Sequence, residues 1–291
     1  MLGAVFGDIV GSAYEWHNVK SKEFALVTPL TRFTDDSVMT LANALWLTCD
    51  PTHSPERLVE CMIELGRRHA HAGYGGGFRR WLVSPDPQPY NSWGNGSAMR
   101  VSPVGLYAQS IDEVLELARI SASVTHNHPE GIKGAQATAL AVFLSRTQGD
   151  RPNVRQLIKH EVETRFGYDL SRTLDNIRPS YEFDVSCQGS VPEAIIAYLE
   201  SDTLEDCVRG AISIGGDSDT IAAIACGIHA AHCDPASEQF MAPFEQYLTP
   251  DLQQIQSDFE ILLSAMEGRI WSGVPKDFEY WKQFFRNNQT F

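Results

Sequence analysis

The 291-residue chain is short of basic residues, of strand-like alternation and of paired cysteines, and each shortage excludes something. Lys and Arg total 23 against 37 Asp and Glu, a formal charge of −14, so the chain lacks the basic face that general nucleic-acid binding needs. An anionic ligand requires a local solution instead: a bound cation, backbone amides, or both. The 6 cysteines, Cys49, Cys61, Cys187, Cys207, Cys226 and Cys233, form no CxxC pair and sit in apolar, helix-like contexts. They read as reduced packing thiols in a reducing compartment. The N-terminal MLGAVFGDIVG has no basic flank and carries Asp8 within its apolar stretch. Neither a signal peptide nor a membrane span is expected, and a cytoplasmic location is. No Ser/Pro linker or low-complexity tract divides the sequence, so one domain over residues 1–291 is expected.

What is present is helical pattern. Ser54-Pro55-Glu56 supplies an N-cap, a proline at the first helical position and an early acid. Similar starts are read at Val191-Pro192-Glu193, Asp202-Thr203-Leu204-Glu205 and Thr249-Pro250-Asp251. Only the stretch from Tyr181 to Ser190 leaves room for β structure. The expected fold is all-α, a compact multi-helix bundle. Two Ala/Gly-rich segments, GIKGAQATALAVF and TIAAIACGIHAA, allow close backbone approach and are the expected central helices.

Two acidic clusters stand at the starts of small-residue or apolar helices. FTDDS places Asp35 and Asp36 between the hydroxyls of Thr34 and Ser37, and GGDSDT presents Asp217, Asp219 and Thr220 after a Gly-Gly turn. Adjacent carboxylates repel, and a single residue would cap a helix as well as two. Each cluster alone fits a helix cap; facing one another, they gather four carboxylates that need a cation. The donors are hard oxygens, which select Mg²⁺, Mn²⁺ or Ca²⁺ over zinc, and two ions suit that much charge.

Gly3, Gly7 and Gly11 fall four apart, so they wind slowly around one helix as a small-residue stripe, with Glu15 at its end. The stripe is expected to seat another helix, with Glu15 either solvated or delivered to a cleft. SWGNGSAMRVSPVG offers flexible backbone amides next to a helix start, suited to a phosphate, or simply a turn. Thr125-His126-Asn127-His128-Pro129-Glu130 reads as a polar lid, a capped turn or a zinc site, the last disfavoured because HxH lacks a third organised ligand.

The ordered set GAVFGDIVGSAYE, FTDDS, GYGGG, GNGSAMR, THNHPEGIKGAQATA and GGDSDTIAAI resembles the ADP-ribosylglycohydrolase family, of the dinitrogenase-reductase-activating glycohydrolase and ADP-ribosylhydrolase type. Each motif is unspecific alone; the ordered set, spread over most of the chain, is specific. The resemblance implies an all-α orthogonal bundle with a binuclear Mg²⁺ or Mn²⁺ centre in a cleft. It places metal ligands at Thr34, Asp35, Asp36, Asp217, Asp219 and Thr220, and makes Glu15 a gating or acid-base residue. Asn95, Gly96 and Ser97 match a loop on the diphosphate side of ADP-ribose, and His126 a histidine near the ribose. Ser37 stands where the family often has threonine, with the hydroxyl retained.

The implied reaction is hydrolysis at the anomeric carbon of an ADP-ribosylated acceptor, either a protein or a small-molecule conjugate. A metal-bound aspartate, Asp35 or Asp219, is the expected activator of water, with Glu15 assisting. Arginine is the first-choice acceptor, a monomer the expected state, and residues 151–190 the expected shapers of the acceptor side. Tyr74, Phe78, Trp93 and Tyr107 are candidates for stacking the adenine. Two rival readings are a metal-dependent phosphohydrolase and a non-catalytic ADP-ribose-binding or crystallin-like structural protein.

Overall fold

The computed structural model describes residues 2–149, 151–232, 234–266 and 276–287. Its α-helices, in chain order, are α1 (Gly3–Gly11), α2 (Asp35–Cys49), α3 (Pro55–Arg68), α4 (Gly76–Val83), α5 (Gly96–Met99), α6 (Ser102–Tyr107), α7 (Ile111–Ser123) and α8 (Pro129–Gln148). They continue as α9 (Val154–Phe166), α10 (Leu174–Ile177), α11 (Cys187–Leu199), α12 (Leu204–Ser213), α13 (Ser218–His229), α14 (Pro235–Met241), α15 (Pro250–Met266) and α16 (Phe278–Asn287). Among the described residues there is no strand, and the extended stretch before Cys187 forms a single antiparallel bridge, Ser186 to Gly94. The fold is all-α.

The starts read from local chemistry are largely where expected. Ser54 and Thr203 accept from the amides of Arg57 and Asp206, and α15 begins at Pro250. The start read at Val191-Pro192 is displaced: α11 begins at Cys187, because the Ser186 hydroxyl caps the amide of Gly189 at 3.1 Å. Pro192 then lies inside the helix, where its missing N–H falls opposite the carbonyl of Gln188, a residue exposed to water. The first helix is also shorter than its glycine pattern suggests. It stops at Gly11, and Glu15 lies in the turns that follow.

The two small-residue helices are central. Every residue of α13 from Ser218 to Ile228 is buried, and α8 buries most of its length while touching α5, α6, α7, α9, α11 and α13. Helix α1 lies against α13 more intimately than side chains permit. A Cβ at Gly3 would stand 2.2 Å from the Cys226 carbonyl oxygen, one at Gly7 2.2 Å from that of Ala222, and one at Gly11 2.6 Å from the Asp219 Cα. The stripe therefore seats α13, as its spacing predicts, and its last glycine touches the backbone of an acid in the second cluster.

Cys49, Cys61, Cys187, Cys207 and Cys226 are free thiols, four of them buried; Cys233 lies outside the described residues. No described helix is long and apolar enough to cross a membrane.

The packing sets a graded expectation. Gly7→Ala forces backbone against backbone and is expected to cost about 1–3 kcal/mol. Gly66→Ala meets only the mobile methyls of Leu82 and is expected to cost less. Urea unfolding of both variants tests the difference, and equal costs would contradict it.

Candidate active site

Helix α1 carries one carboxylate in an otherwise apolar run, and it organises the first acid cluster. Asp8, fully buried, accepts from the Thr34 hydroxyl (2.7 Å), the Thr34 amide (2.9 Å), the Ser37 amide (3.0 Å) and the Ser37 hydroxyl. These bonds tie the first turn of α2 to α1. Thr34 is the N-cap of α2, and the Asp35 amide donates to the Ala72 carbonyl at 2.9 Å. Asp8 was legible in the sequence only as a polar interruption; its partners lie 26 and 29 residues away.

The second cluster is set by a Gly-Gly turn. Gly215 and Gly216 both have φ +75°, and a Cβ on Gly216 would stand 2.4 Å from the Tyr181 ring. Asn18 clamps the turn, accepting from the Gly216 amide at 2.8 Å and donating to its carbonyl at 3.0 Å. Asp217, Asp219 and Thr220 then open α13. The two clusters meet directly: the Thr220 hydroxyl donates to Asp36 Oδ1 at 3.0 Å, across 184 residues of chain.

Glu15 joins them. Ligand atoms of Glu15, Asp217 and Asp219 lie within 4.8 Å of one another, the sole such acid, His or Cys grouping among the described residues. Burial raises the pKa of Asp35, Asp36 and Asp219 well above the usual carboxylate range, and the charge of neighbouring aspartates adds to it. Burial likewise brings Asp217 to about 6, and burial with the Asp219 charge brings Glu15 to about 7. Buried oxygen donors that hold protons this tightly suit a hard divalent cation in exchange for them.

The acids form one wall of a cleft of about 360 Å³ whose other walls include Gly73, Gly75 and Gly77, the Gly94–Gly96 loop, Tyr90, Arg100 and His126. A larger cavity, about 600 Å³ between Arg155, Tyr198 and His229, lies apart from these acids, and its Arg155 is already bonded to Asp202 and Ser201.

On the loop side, Asn95 donates to Asp217 Oδ2 at 2.7 Å and to the Ser190 hydroxyl at 3.0 Å, while Gly96 lines the cleft. Ser97 is fully buried and donates to the Gly131 carbonyl at 2.7 Å, so its hydroxyl holds the loop. His126 lies in the cleft wall, and burial followed by the Arg100 charge holds its pKa well below the usual imidazole range. The Thr125 hydroxyl accepts from Arg100 Nη2 at 2.9 Å and faces His126 Nδ1 at 2.7 Å. The other ring nitrogen, Nε2, faces Gly94 and Gly96. His128 is the N-cap of α8, accepting from the Glu130 amide, so the HxH pair is a capped turn.

Of the aromatic candidates, Phe78 lines the cleft. Tyr74 is buried against Phe78, Trp93 packs on His128, and Tyr107 packs on His53. From the stretch 151–190, the cleft takes Phe183 and Val185. Trp16, Tyr90 and Phe183 are cleft residues that carried no distinguishing pattern in the sequence, whereas Arg100 ends the GNGSAMR motif without having been singled out.

The sequence pattern of the ADP-ribosylglycohydrolase family matches residues 1–239. ADP-ribosylhydrolase ARH3 of Homo sapiens is 28% identical, over 87% of this chain and 90% of its own length. An uncharacterized protein of Archaeoglobus fulgidus is 32% identical over 45% of this chain and 47% of its own. A solved structure titled an ADP-ribosylglycohydrolase-related protein complex superposes with a TM-score of 0.62 at 20% identity, covering 87% of this chain and 92% of that one, which supports the fold. With both acid clusters and the Gly94–Gly96 loop inside the matched region, the chain belongs to the ADP-ribosylglycohydrolase family of hydrolases.

Proposed function

We propose that this hydrolase is Mg²⁺-dependent and cleaves the bond between ADP-ribose and an acceptor, first of all arginine on a protein, releasing free ADP-ribose. The observation that carries the reading is the meeting of the two acid clusters through Thr220 and Asp36. Repelling carboxylates held this close are stable with their protons or with cations. The proposed ligands are Thr34, Asp35, Asp36, Asp217, Asp219 and Thr220 for two ions, Mg²⁺ or Mn²⁺. When bound, such ions supply positive charge for the ribose diol and lower the pKa of a water.

The chain's own residues do the rest. Asp8 holds the Thr34 hydroxyl and the first turn of α2 in place, an outer-shell role. Asn95 fixes Asp217. The diphosphate is placed along the wall formed by Gly94, Gly96 and His126, with Arg100, the sole Lys or Arg among the described residues that line the cleft, behind it on the Ser121 carbonyl and the Thr125 hydroxyl. Arg100 is fully buried and makes no ion pair among the described residues, although burial lowers its pKa to about 10. It thus brings local positive charge to a chain of net charge −14.

In the reaction, a water oxygen bonds to the anomeric carbon as the bond to the acceptor atom breaks. The water proton passes to a carboxylate, Asp35 or Asp219, and the leaving atom takes a proton in turn. Glu15, poised near neutrality, can hold or give that proton. An arginine acceptor suits the acid-rich mouth by charge. A cytoplasmic monomer acting on ADP-ribosylated protein or a small-molecule conjugate completes the proposal.

The proposal has consequences for substrates, for variants and for pH. With ADP-ribosylated arginine, serine and polymer substrates, free ADP-ribose appears with Mg²⁺ and not with chelator. Release of inorganic phosphate would indicate a phosphohydrolase, and ADP-ribose binding without release a binding protein. Asp35→Asn abolishes release while circular dichroism stays unchanged, and Asp8→Asn weakens Mg²⁺ activation by about 10- to 100-fold; near-normal turnover in Asp35→Asn would overturn the ligand assignment. Because Glu15 (4.5 to about 7) and Asp217 (3.8 to about 6) bind protons more tightly folded than unfolded, raising the pH between about 4 and about 7 favours the unfolded chain. Metal-free protein should therefore lose stability across that window, and the increase in Tm produced by Mg²⁺ should grow with pH. Thermal melts at both ends, with Mg²⁺ and with chelator, test this.

A further inference from the structure

Single exposed apolar residues are ordinary, but two aromatic rings stacked together in water form a patch, and Trp16 is 70% exposed at the mouth of the cleft. It stacks on Phe183, itself 45% exposed, with ring centroids 5.3 Å apart and planes 23° apart. Phe183 backs one face of the indole, and the exposure of Trp16 leaves the other face to solvent. The two residues come from opposite parts of the chain, and neither is part of the hydrophobic core.

Their position relative to the acids gives the pair a direction. Trp16 follows Glu15 directly, and the Glu15 carboxylate groups with Asp217 and Asp219. The diphosphate end of the cleft is marked by the Gly94–Gly96 loop, His126 and Arg100. A substrate with its anomeric carbon at the acids has its departing group beside Glu15, with Trp16 next to it at the mouth; Phe183 comes from the segment whose Val185 carbonyl accepts from the Asn95 amide at 2.7 Å. The acids near this edge are Glu15, next to Trp16 in the chain, and the exposed Glu182 before Phe183, which acts on Lys20; Asp184, after Phe183, is turned to the Ser186 amide at 2.7 Å. Arg32 acts on Glu15, and Lys20 is held to the carbonyls of Tyr181 and Ile214 at 2.7 and 2.5 Å.

An open indole face bordered by carboxylates suits a planar cation, which gains from the ring quadrupole and from the acids together. We infer that Trp16, backed by Phe183, is the acceptor subsite, and that it stacks the guanidinium of an ADP-ribosylated arginine. The inference rests on the proposed hydrolysis but assigns a recognition element that the hydrolysis itself does not require.

The test compares wild type with Trp16→Ala, Trp16→Phe and Phe183→Ala on ADP-ribosyl-arginine, ADP-ribosyl-serine and free ADP-ribose. Trp16→Ala is expected to raise KM for the arginine conjugate by about three- to thirtyfold. Phe183→Ala should act in the same direction and less strongly. Trp16→Phe, which keeps a ring face but loses the indole N–H, should stay close to wild type, separating stacking from any hydrogen bonding by that N–H. The calorimetric Kd for ADP-ribose should be unchanged in all three. Equal losses on the serine conjugate, or an equal loss of ADP-ribose affinity, would overturn the assignment, as would hydrolysis of serine but not arginine conjugates. If no conjugate is hydrolysed, the proposed function fails and binding decides the subsite separately. Intact ADP-ribosyl-arginine binding more tightly than ADP-ribose in wild type, and no more tightly in Trp16→Ala, supports it; equal affinities in wild type overturn it.

Discussion

The constraint on which this structure depends is repulsion among buried carboxylates. Asp35 and Asp36 open α2, Asp217 and Asp219 open α13, and a single hydroxyl bond from Thr220 to Asp36 spans them. Helix N-termini ease such a gathering, because their free amides and dipole favour negative charge. They do not remove it, as the raised pKa of every one of these acids shows. Their charges are therefore costly to hold together above neutral pH without a compensating cation.

Helix α1 is what enforces the gathering. One of its faces has no side chains to keep α13 away, and Gly11 lies against the backbone of Asp219. Another carries Asp8, which bonds both Thr34 and Ser37 at the start of α2. One nine-residue helix thus sets the positions of two acid clusters that are far apart in sequence. The chain that leaves its C-terminus carries Glu15 and Trp16 to the cleft, so the packing helix and the proposed metal and acceptor sites share one segment.

Features governed by local chemistry were legible in the sequence. Capped starts at Ser54 and Thr203, the small-residue helices at the centre and the glycine stripe all follow from neighbours close in the chain. The start of α11 was not, because tolerance of Pro192 depends on Gln188 facing water, which only the folded chain decides. The place of Glu15 beyond the helix end, the bonds of Asp8 and the stacking of Trp16 on Phe183 rest on tertiary contacts without a periodic signature. Ser97 shows the reverse limit: its motif points to the ligand loop, yet its hydroxyl holds the backbone of Gly131.

The central claim is that the two acid clusters form one divalent-cation site. Calorimetric titration of chelator-treated protein with Mn²⁺ at neutral pH tests it most directly. The account predicts two ions bound per chain, with protons released on binding and both ions weakened by Asp219→Ala in one cluster or Asp36→Ala in the other. Absence of binding, or binding that survives both substitutions, would contradict it.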